Sequence, residues 1–86
     1  MLTIKILGPG CDNCRKLEST VKQAVAMLGV PAAVRKVIDR DEISGYHILA
    51  TPGLVVDEKL VAAGRLPDVA EVTTWLVDAL EREAAG

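Results

Sequence analysis

The stretch that decides the fold is Gly8-Pro9-Gly10-Cys11-Asp12-Asn13-Cys14-Arg15-Lys16-Leu17. It contains the only two cysteines of the chain, Cys11 and Cys14, which are separated by two residues. An apolar run precedes this stretch and a helical pattern follows it. A Cys-X-X-Cys pair can close a small disulfide ring or share a metal ion, and both uses need thiolates. The surrounding sequence has to indicate which use applies.

A strand before the cysteines and a helix after them are the clearest local predictions. Leu2–Leu7 alternates between apolar and polar positions, as a strand does, and Gly8-Pro9-Gly10 cannot continue a strand ladder. From Cys11 the period changes, and apolar residues recur at helical spacing over Cys14–Leu28. Gly29 follows this stripe and is placed to stop the helix.

The rest of the chain predicts three more strands, a short helix and a closing helix. Residues 33–38 form a second strand, parallel to the first because a helix connects them. Residues 39–45 form a short helix, residues 54–56 and 60–63 a hairpin, and residues 68–83 a final helix. The predicted order is βαβαββα, an α/β fold with a four-stranded mixed sheet flanked by three helices. We expect one domain over residues 1–86.

Charged residues predict caps and surface pairs on these helices. The spacings i,i+3 and i,i+4 bring side chains together on a helix, and an acid three residues after a capping acid can complete a cap. Four pairs have such spacing: Asp12 with Lys16, Glu18 with Lys22, Asp39 with Glu42, and Asp68 with Glu71.

Charge and composition limit the classes of partner that the protein is expected to bind. Ten basic and twelve acidic residues give a net charge of −2, without a long run of either sign. Nucleic-acid binding needs a concentrated basic footprint, so neither nucleic acid nor a membrane surface is predicted as a partner. The N-terminus has no basic leader, and no apolar stretch reaches the roughly 20 residues that span a bilayer. We expect a soluble, cytoplasmic monomer.

The two cysteines are predicted to differ. If the helix begins at about Cys11, unpaired backbone N–H groups and the helix dipole stabilise a thiolate there. Thiols so placed have pKa values lowered from ~8.5 to about 3.5–7.5. Cys14 lies one turn further, on the apolar stripe, and should be shielded. Disulfide exchange needs such a pair, with Cys11 attacking a substrate disulfide and Cys14 resolving the mixed disulfide.

A buried structural thiol at Cys14 with an incidental Cys11 is another interpretation, which the spacing and the position at a helix start disfavour. Metal binding is the stronger alternative. Two thiolates suit Cu(I) or half of a zinc site. A closed zinc site needs four ligands, and the chain adds only His47 besides carboxylates. We interpret His47 as a turn or surface residue, which disfavours structural zinc within one chain. We therefore expect no metal centre and no cofactor.

The combined pattern resembles the thioredoxin superfamily in its smallest form, and especially the short prokaryotic thioredoxin-like redox-active disulfide proteins. A downstream Thr51-Pro52 at this distance from a Cys-X-X-Cys pair makes the resemblance specific. The resemblance is carried by Ile4-Lys5-Ile6-Leu7-Gly8, by residues 10–17, by residues 46–57 and by Gly64-Arg65-Leu66-Pro67.

This resemblance implies the rest of the site and the function. It implies that Pro52 is cis and lies against the cysteines, and that the backbone of Thr51 pairs with the substrate chain. Gly10, Asp12 and Asn13 are the further residues expected to contact substrate. The implied activity is reduction of protein disulfides, with electrons from an upstream reductase that the sequence does not identify.

The sequence departs from thioredoxin proper around the cysteines. Thioredoxin has Trp-Cys-Gly-Pro-Cys, whereas here Gly10 precedes Cys11 and Asp12-Asn13 lie between the cysteines. The strand Leu2–Leu7 contains no acid, which leaves the proton acceptor of Cys14 unassigned.

A metal-binding family and a regulatory module are the rival functions. The first is a heavy-metal-associated domain of the copper-chaperone kind, which also opens with a strand, Cys-X-X-Cys and a helix. That family has a Gly-Met-Thr-Cys loop and the order βαββαβ, and this chain matches neither. The second is a thiol redox sensor with little turnover.

Overall fold

The structure is a computed structural model that describes residues 1–85. Its secondary-structure elements follow the predicted order βαβαββα. They are β1 (Leu2–Leu7), α1 (Asp12–Leu28), β2 (Ala32–Val37), α2 (Arg40–Ser44), β3 (Gly53–Val56), β4 (Lys59–Ala63) and α3 (Val69–Ala85).

The four strands form one mixed sheet in the order β2-β1-β3-β4. β1 and β2 are parallel, as the helical crossover predicted, while β1 with β3 and β3 with β4 are antiparallel. β1 is therefore central and is hydrogen-bonded along both edges. Its carboxyl end leads directly into the loop that ends at Cys11, the residue before α1.

The second strand is shifted by one residue from its predicted bounds. The ladder between β1 and β2 ends at the pair Leu7 and Val37, and the Gly8 N–H donates to the Val37 carbonyl at 3.0 Å. β1 cannot extend further, because Gly8-Pro9-Gly10 turns away. Ile38 consequently has no ladder partner and its side chain is 59% exposed.

The hairpin turn has two residues where the sequence predicted three. Asp57 and Glu58 have φ values of 48° and 68°, and β4 begins at Lys59. Two-residue hairpin turns with positive φ at both positions match the twist of the flanking strands. The Thr3 N–H donates to the Asp57 carboxylate and the Asp57 N–H donates to the Thr3 carbonyl, both at 2.8 Å. These bonds fix the turn against β1.

The main core lies between the sheet and the two long helices. Apolar stripes of α1 and α3 meet the face of β1 that carries Leu2, Ile4 and Ile6. Burying such aliphatic side chains contributes roughly 1.5–3 kcal/mol each. The fully or nearly fully buried members are Leu2, Ile4, Ile6, Leu17, Val21, Ala24, Leu54, Val56, Ala62, Val72, Leu76 and Ala79.

The opposite face of the sheet has a smaller core and a polar cluster. Leu7, Val37 and Val55 form the buried part, next to α2. The Lys5 ammonium donates to Tyr46 Oη at 2.7 Å and to Glu58 Oε1 at 2.6 Å. The Lys5 hydrogen bond holds the pKa of the Glu58 carboxyl below its ordinary value. Tyr46 also packs against the smaller core, so the polar cluster adjoins it.

Both predicted acidic caps are present, and one uses a different partner. The Glu71 N–H donates to Asp68 Oδ1 at 2.8 Å, and the Asp68 N–H donates to Glu71 Oε1 at 3.4 Å, the reciprocal pattern of a capping box. At α2, Asp39 accepts from the Asp41 N–H at 3.0 Å and not from Glu42. An N-cap side chain can accept from the second or the third amide of its helix, and Asp39 uses the second.

Within residues 1–85, no helix combines the length and apolar character needed to cross a bilayer.

Candidate active site

Cys11 is the N-cap of α1. Its backbone is extended, with φ −74° and ψ 168°, and the helix begins at the next residue. Its Sγ accepts the Cys14 N–H at 3.2 Å, one of the donors that a helix start leaves unpaired. Gly10, with φ +88°, turns the chain into this position. The sulfur therefore lies where the helix favours negative charge.

Cys14 lies one turn further along and is buried, with 7% of its surface exposed. The position of its sulfur depends on Gly8, because an ideal Cβ on Gly8 would overlap Cys14 Sγ. The sequence indicates Gly8 only as the end of a strand and does not predict this contact. A glycine between a strand and a reactive helix start was the available signal, since glycine permits close approach.

The pKa values of the two thiols are shifted in opposite directions. Hydrogen bonds from the Cys14 side chain, and then from its backbone N–H, lower the pKa of Cys11 below the ordinary value near 9.0. Burial, and then the hydrogen bond with Cys11, raises the pKa of Cys14 above that value. Cys11 is therefore the thiol that ionises first. Both shifts agree with the geometry, because one sulfur is at a helix start and the other is shielded.

The Thr51–Pro52 peptide bond is cis, as the family resemblance implied. An ideal Cβ on Gly8 would lie 3.9 Å from Thr51 Cβ, so this loop is next to the glycine that adjoins Cys14. Pro52 is buried and Thr51 is exposed. The structure thus brings Thr51, almost forty residues away in the sequence, next to the glycine that contacts Cys14.

Gly64 is a second residue of this region that sequence reasoning did not place in the site. Its N–H donates to the Pro52 carbonyl at 2.9 Å, and an ideal Cβ on it would lie 3.0 Å from Ala50 Cβ. The pairing of Gly53 with Ala63 in the β3–β4 ladder leads to this contact. A correct hairpin register would have predicted it.

Asp12 and Asn13 are exposed at the start of α1. The Asp12 carboxylate pairs with the Arg15 guanidinium, three residues on, and not with Lys16 as predicted. Both spacings make helical neighbours, and the planar guanidinium offers a carboxylate two donors. The negative charge next to Cys11 is therefore matched by a cation.

A small cavity of ≈ 30 Å³ adjoins Cys14, with space for about one water molecule. Lys36 Nζ, on its wall, lies 3.5 Å from Glu18 Oε1. None of the residues on the wall is an acid, so the proton acceptor of Cys14 stays unassigned. The wall consists of Ile6, Gly8, Gly10, Cys14, Arg15, Lys36 and Ile38.

His47 lies in the exposed turn after α2, with φ 56°, as its interpretation as a turn residue predicted. Within residues 1–85, no group of three or more histidine, cysteine, aspartate or glutamate side chains is arranged to hold a metal ion.

Comparison with known proteins decides the family. A family model described as a thioredoxin domain matches residues 2–77. The chain belongs to the thioredoxin domain family. A thioredoxin of Methanocaldococcus jannaschii is 38% identical over 81 residues, which cover 94% of this chain and 93% of the relative. A thioredoxin of Methanothermobacter thermautotrophicus is 39% identical over 72 residues, covering 84% of this chain and 94% of the relative. With its Cys-X-X-Cys pair, this thioredoxin-family chain is a thiol–disulfide oxidoreductase.

Solved structures agree on the fold. Thioredoxin-2 of the malaria parasite superposes with a TM-score of 0.67 at 10% identity, over 91% of this chain and 82% of that one. The germline-specific thioredoxin Deadhead of Drosophila melanogaster gives 0.62 at 23% identity, over 90% and 79%. The predicted thioredoxin-like fold is confirmed. The heavy-metal-associated order βαββαβ does not describe the chain, because α3 follows β4.

Proposed function

We propose that the protein reduces disulfide bonds of other proteins, with Cys11 as the nucleophile and Cys14 as the resolving thiol. The observation that carries this assignment is the contrast between two sulfurs one helical turn apart. Cys11 Sγ accepts a backbone N–H at a helix start, whereas Cys14 is buried behind it. Both curated relatives are named thioredoxin, and thioredoxins act on protein disulfides.

In the first step the Cys11 thiolate attacks one sulfur of the substrate disulfide. The substrate S–S bond breaks, a mixed disulfide with Cys11 forms, and the departing substrate thiolate takes up a proton from water. In the second step Cys14 loses its proton and attacks Cys11 Sγ. The Cys11–Cys14 disulfide forms and the second substrate thiolate leaves, so two electrons have passed from the dithiol to the substrate.

The backbone of Thr51 and the ring of Pro52 orient the substrate chain next to Cys11, and Gly10, Asp12 and Asn13 contact it from the other side. Support comes from the proximity of Thr51 to the Gly8–Cys14 contact and from the exposure of Gly10, Asp12 and Asn13. An extended substrate segment that pairs with Thr51 would hold its disulfide against the helix start.

The protein acts as a cytoplasmic monomer of one domain and binds neither nucleic acid nor membranes. The balanced charge supports this part of the proposal. A separate reductase must return two electrons to the Cys11–Cys14 disulfide after each cycle, because the residues described here provide no other electron source.

The test combines a redox titration of the cysteine pair with an insulin-reduction assay. Known Cys-X-X-Cys proteins range from about −270 to −120 mV, and the reducing ones lie at the low end. We expect a potential below about −200 mV and insulin reduction that is absent in the C11S/C14S double variant. Tight stoichiometric Cu(I) binding without reductase activity would favour the copper-chaperone role. A reversible disulfide with negligible turnover would favour the sensor.

A further inference from the structure

A groove of ≈ 280 Å³ continues from the active site along the side of α2. Thr51, which lines the groove, precedes the cis-proline. Pro9, on the same wall, belongs to the loop that leads into Cys11. Ile38 lines both this groove and the small cavity next to Cys14. The groove is therefore continuous with the surface at which a substrate disulfide must dock.

The walls of the groove are mostly apolar. Pro9 is exposed, 59% of Ile38 is exposed, and Ile43 is half-buried. Such surface next to a reactive thiol suits the side chains that flank a substrate cysteine. Substrate chain docked at Thr51 would run directly across it.

Arg40 gives the groove a positive charge. The other two arginines close to the site are paired, Arg15 with Asp12 and Arg65 with Glu71. Among residues 1–85, Arg40 has no salt-bridge or side-chain hydrogen-bond partner in the structure, and it lines the groove with Ser44.

Acidic residues flank Arg40 in the sequence but do not line the groove. Asp39, Asp41 and Glu42 are exposed, and the Asp39 carboxylate is occupied by the Asp41 N–H at 3.0 Å. Arg40 is therefore the only charged residue that lines the groove, so it alone can pair directly with a docked anionic side chain, while the three nearby carboxylates weaken the attraction. The adjoining Ser44 hydroxyl can donate a hydrogen bond to the same anionic group.

We propose that this groove is a substrate subsite that favours protein disulfides flanked by an acidic residue and an apolar residue. The proposal rests on the proposed disulfide reduction and names the substrate class for the same site. The acidic side chain pairs with Arg40, and the apolar side chain packs against Ile38 and Pro9. Because Thr51 and Arg40 line the same groove, the acidic residue lies within a few positions of the attacked cysteine.

The test compares peptides that are each closed by one disulfide and differ only near one cysteine. At each of three positions near that cysteine, Glu, Gln or Lys is placed in turn. The second-order rate constant for a single round of reduction by the pre-reduced protein is then measured by mass spectrometry. We expect Glu to exceed Gln at one position by about two- to fivefold, the size of an exposed ion pair. The preference should shrink as salt is added.

Arg40→Glu should reverse the order of the Glu and Lys peptides, and Arg40→Gln should remove the preference. Arg82→Glu is the matched control, because it makes the same charge change near the end of α3. Its neighbour Glu83 pairs with the N-terminus at the start of β1, the end opposite the cysteines. Circular dichroism checks that each variant is folded.

The outcomes separate this subsite from the function on which it rests. Equal rates for all peptides, or the same change of preference in Arg82→Glu and Arg40→Glu, would overturn the acidic subsite and leave disulfide reduction intact. Failure to reduce any peptide or insulin would overturn the proposed function itself. Reversal by Arg40→Glu alone would establish the subsite.

Discussion

Cys11 and Cys14 are one helical turn apart, yet their surroundings differ in almost every respect. Cys11 caps the helix, accepts a backbone N–H and is partly exposed. Cys14 is one of the buried residues along α1 and packs over the backbone of Gly8. The acidity of the first sulfur follows from its backbone position, and the shielding of the second follows from packing. Each should therefore respond to a different substitution.

The largest difference between the two cysteines should come from Gly8→Ala. The added methyl group would overlap Cys14 Sγ, and overpacking costs about 1–3 kcal/mol. We expect at least a tenfold loss of insulin reduction in a protein that remains folded, because the displaced Cys14 no longer resolves mixed disulfides.

Gly29→Ala is the matched control for that loss. Gly29 has φ +64° with open space around it, so alanine there costs about 1–2 kcal/mol through backbone strain. It lies at the far end of α1 and should preserve activity. Equal activities for the two variants, after matching for stability by chemical denaturation, would refute the role given to Gly8.

The pH dependence of alkylation should separate the cysteines next. Iodoacetamide reacts with thiolates, so reactivity is lost as the pH falls through the pKa of each thiol. Since its pKa is lowered, Cys11 should have its midpoint below the ordinary value near 9.0, and Cys14, with a raised pKa, above it. Peptide mapping after limited alkylation measures both midpoints. A common midpoint in the folded protein would contradict the assignment.

The smallest effect should come from the ion pair at the start of α1. Arg15→Gln leaves the Asp12 carboxylate without its partner next to Cys11, which opposes thiolate formation. An exposed pair contributes little, so we expect Cys11 alkylation near neutral pH to slow by less than about fivefold. Lys16→Gln serves as the control and should change nothing, because Lys16 is not the partner. A larger effect of Lys16→Gln would restore the pairing that the sequence predicted.

Sequence patterns predicted the features that depend on local order. The alternation in β1, the stripe of α1 and the stop at Gly29 give the element order, and the place of each cysteine in that pattern distinguishes the attacking thiol from the shielded one. The acidic box at Asp68 is likewise local, and the structure confirms it.

Those patterns could not predict contacts between elements that are far apart in the sequence. The overlap between Gly8 and Cys14, and the hydrogen bond from Gly64 to Pro52, depend on how the helix and the hairpin pack on the sheet. The predicted partner of Asp12, Lys16, was wrong because residues at both i+3 and i+4 can pair with a carboxylate on a helix. Thr51 and Pro52 entered through family resemblance, since an isolated X-Pro pair does not indicate a cis bond.

Trapping of mixed disulfides tests the central claim most directly. Cys14→Ser leaves the nucleophile without a resolving thiol, and Cys11→Ser leaves only the buried one. Each variant is incubated with oxidised insulin, quenched with acid and analysed by mass spectrometry under non-reducing conditions. We predict a covalent adduct on Cys11 in Cys14→Ser and none in Cys11→Ser. Equal adducts in both variants, or an adduct in Cys11→Ser alone, would contradict the roles assigned to the two cysteines.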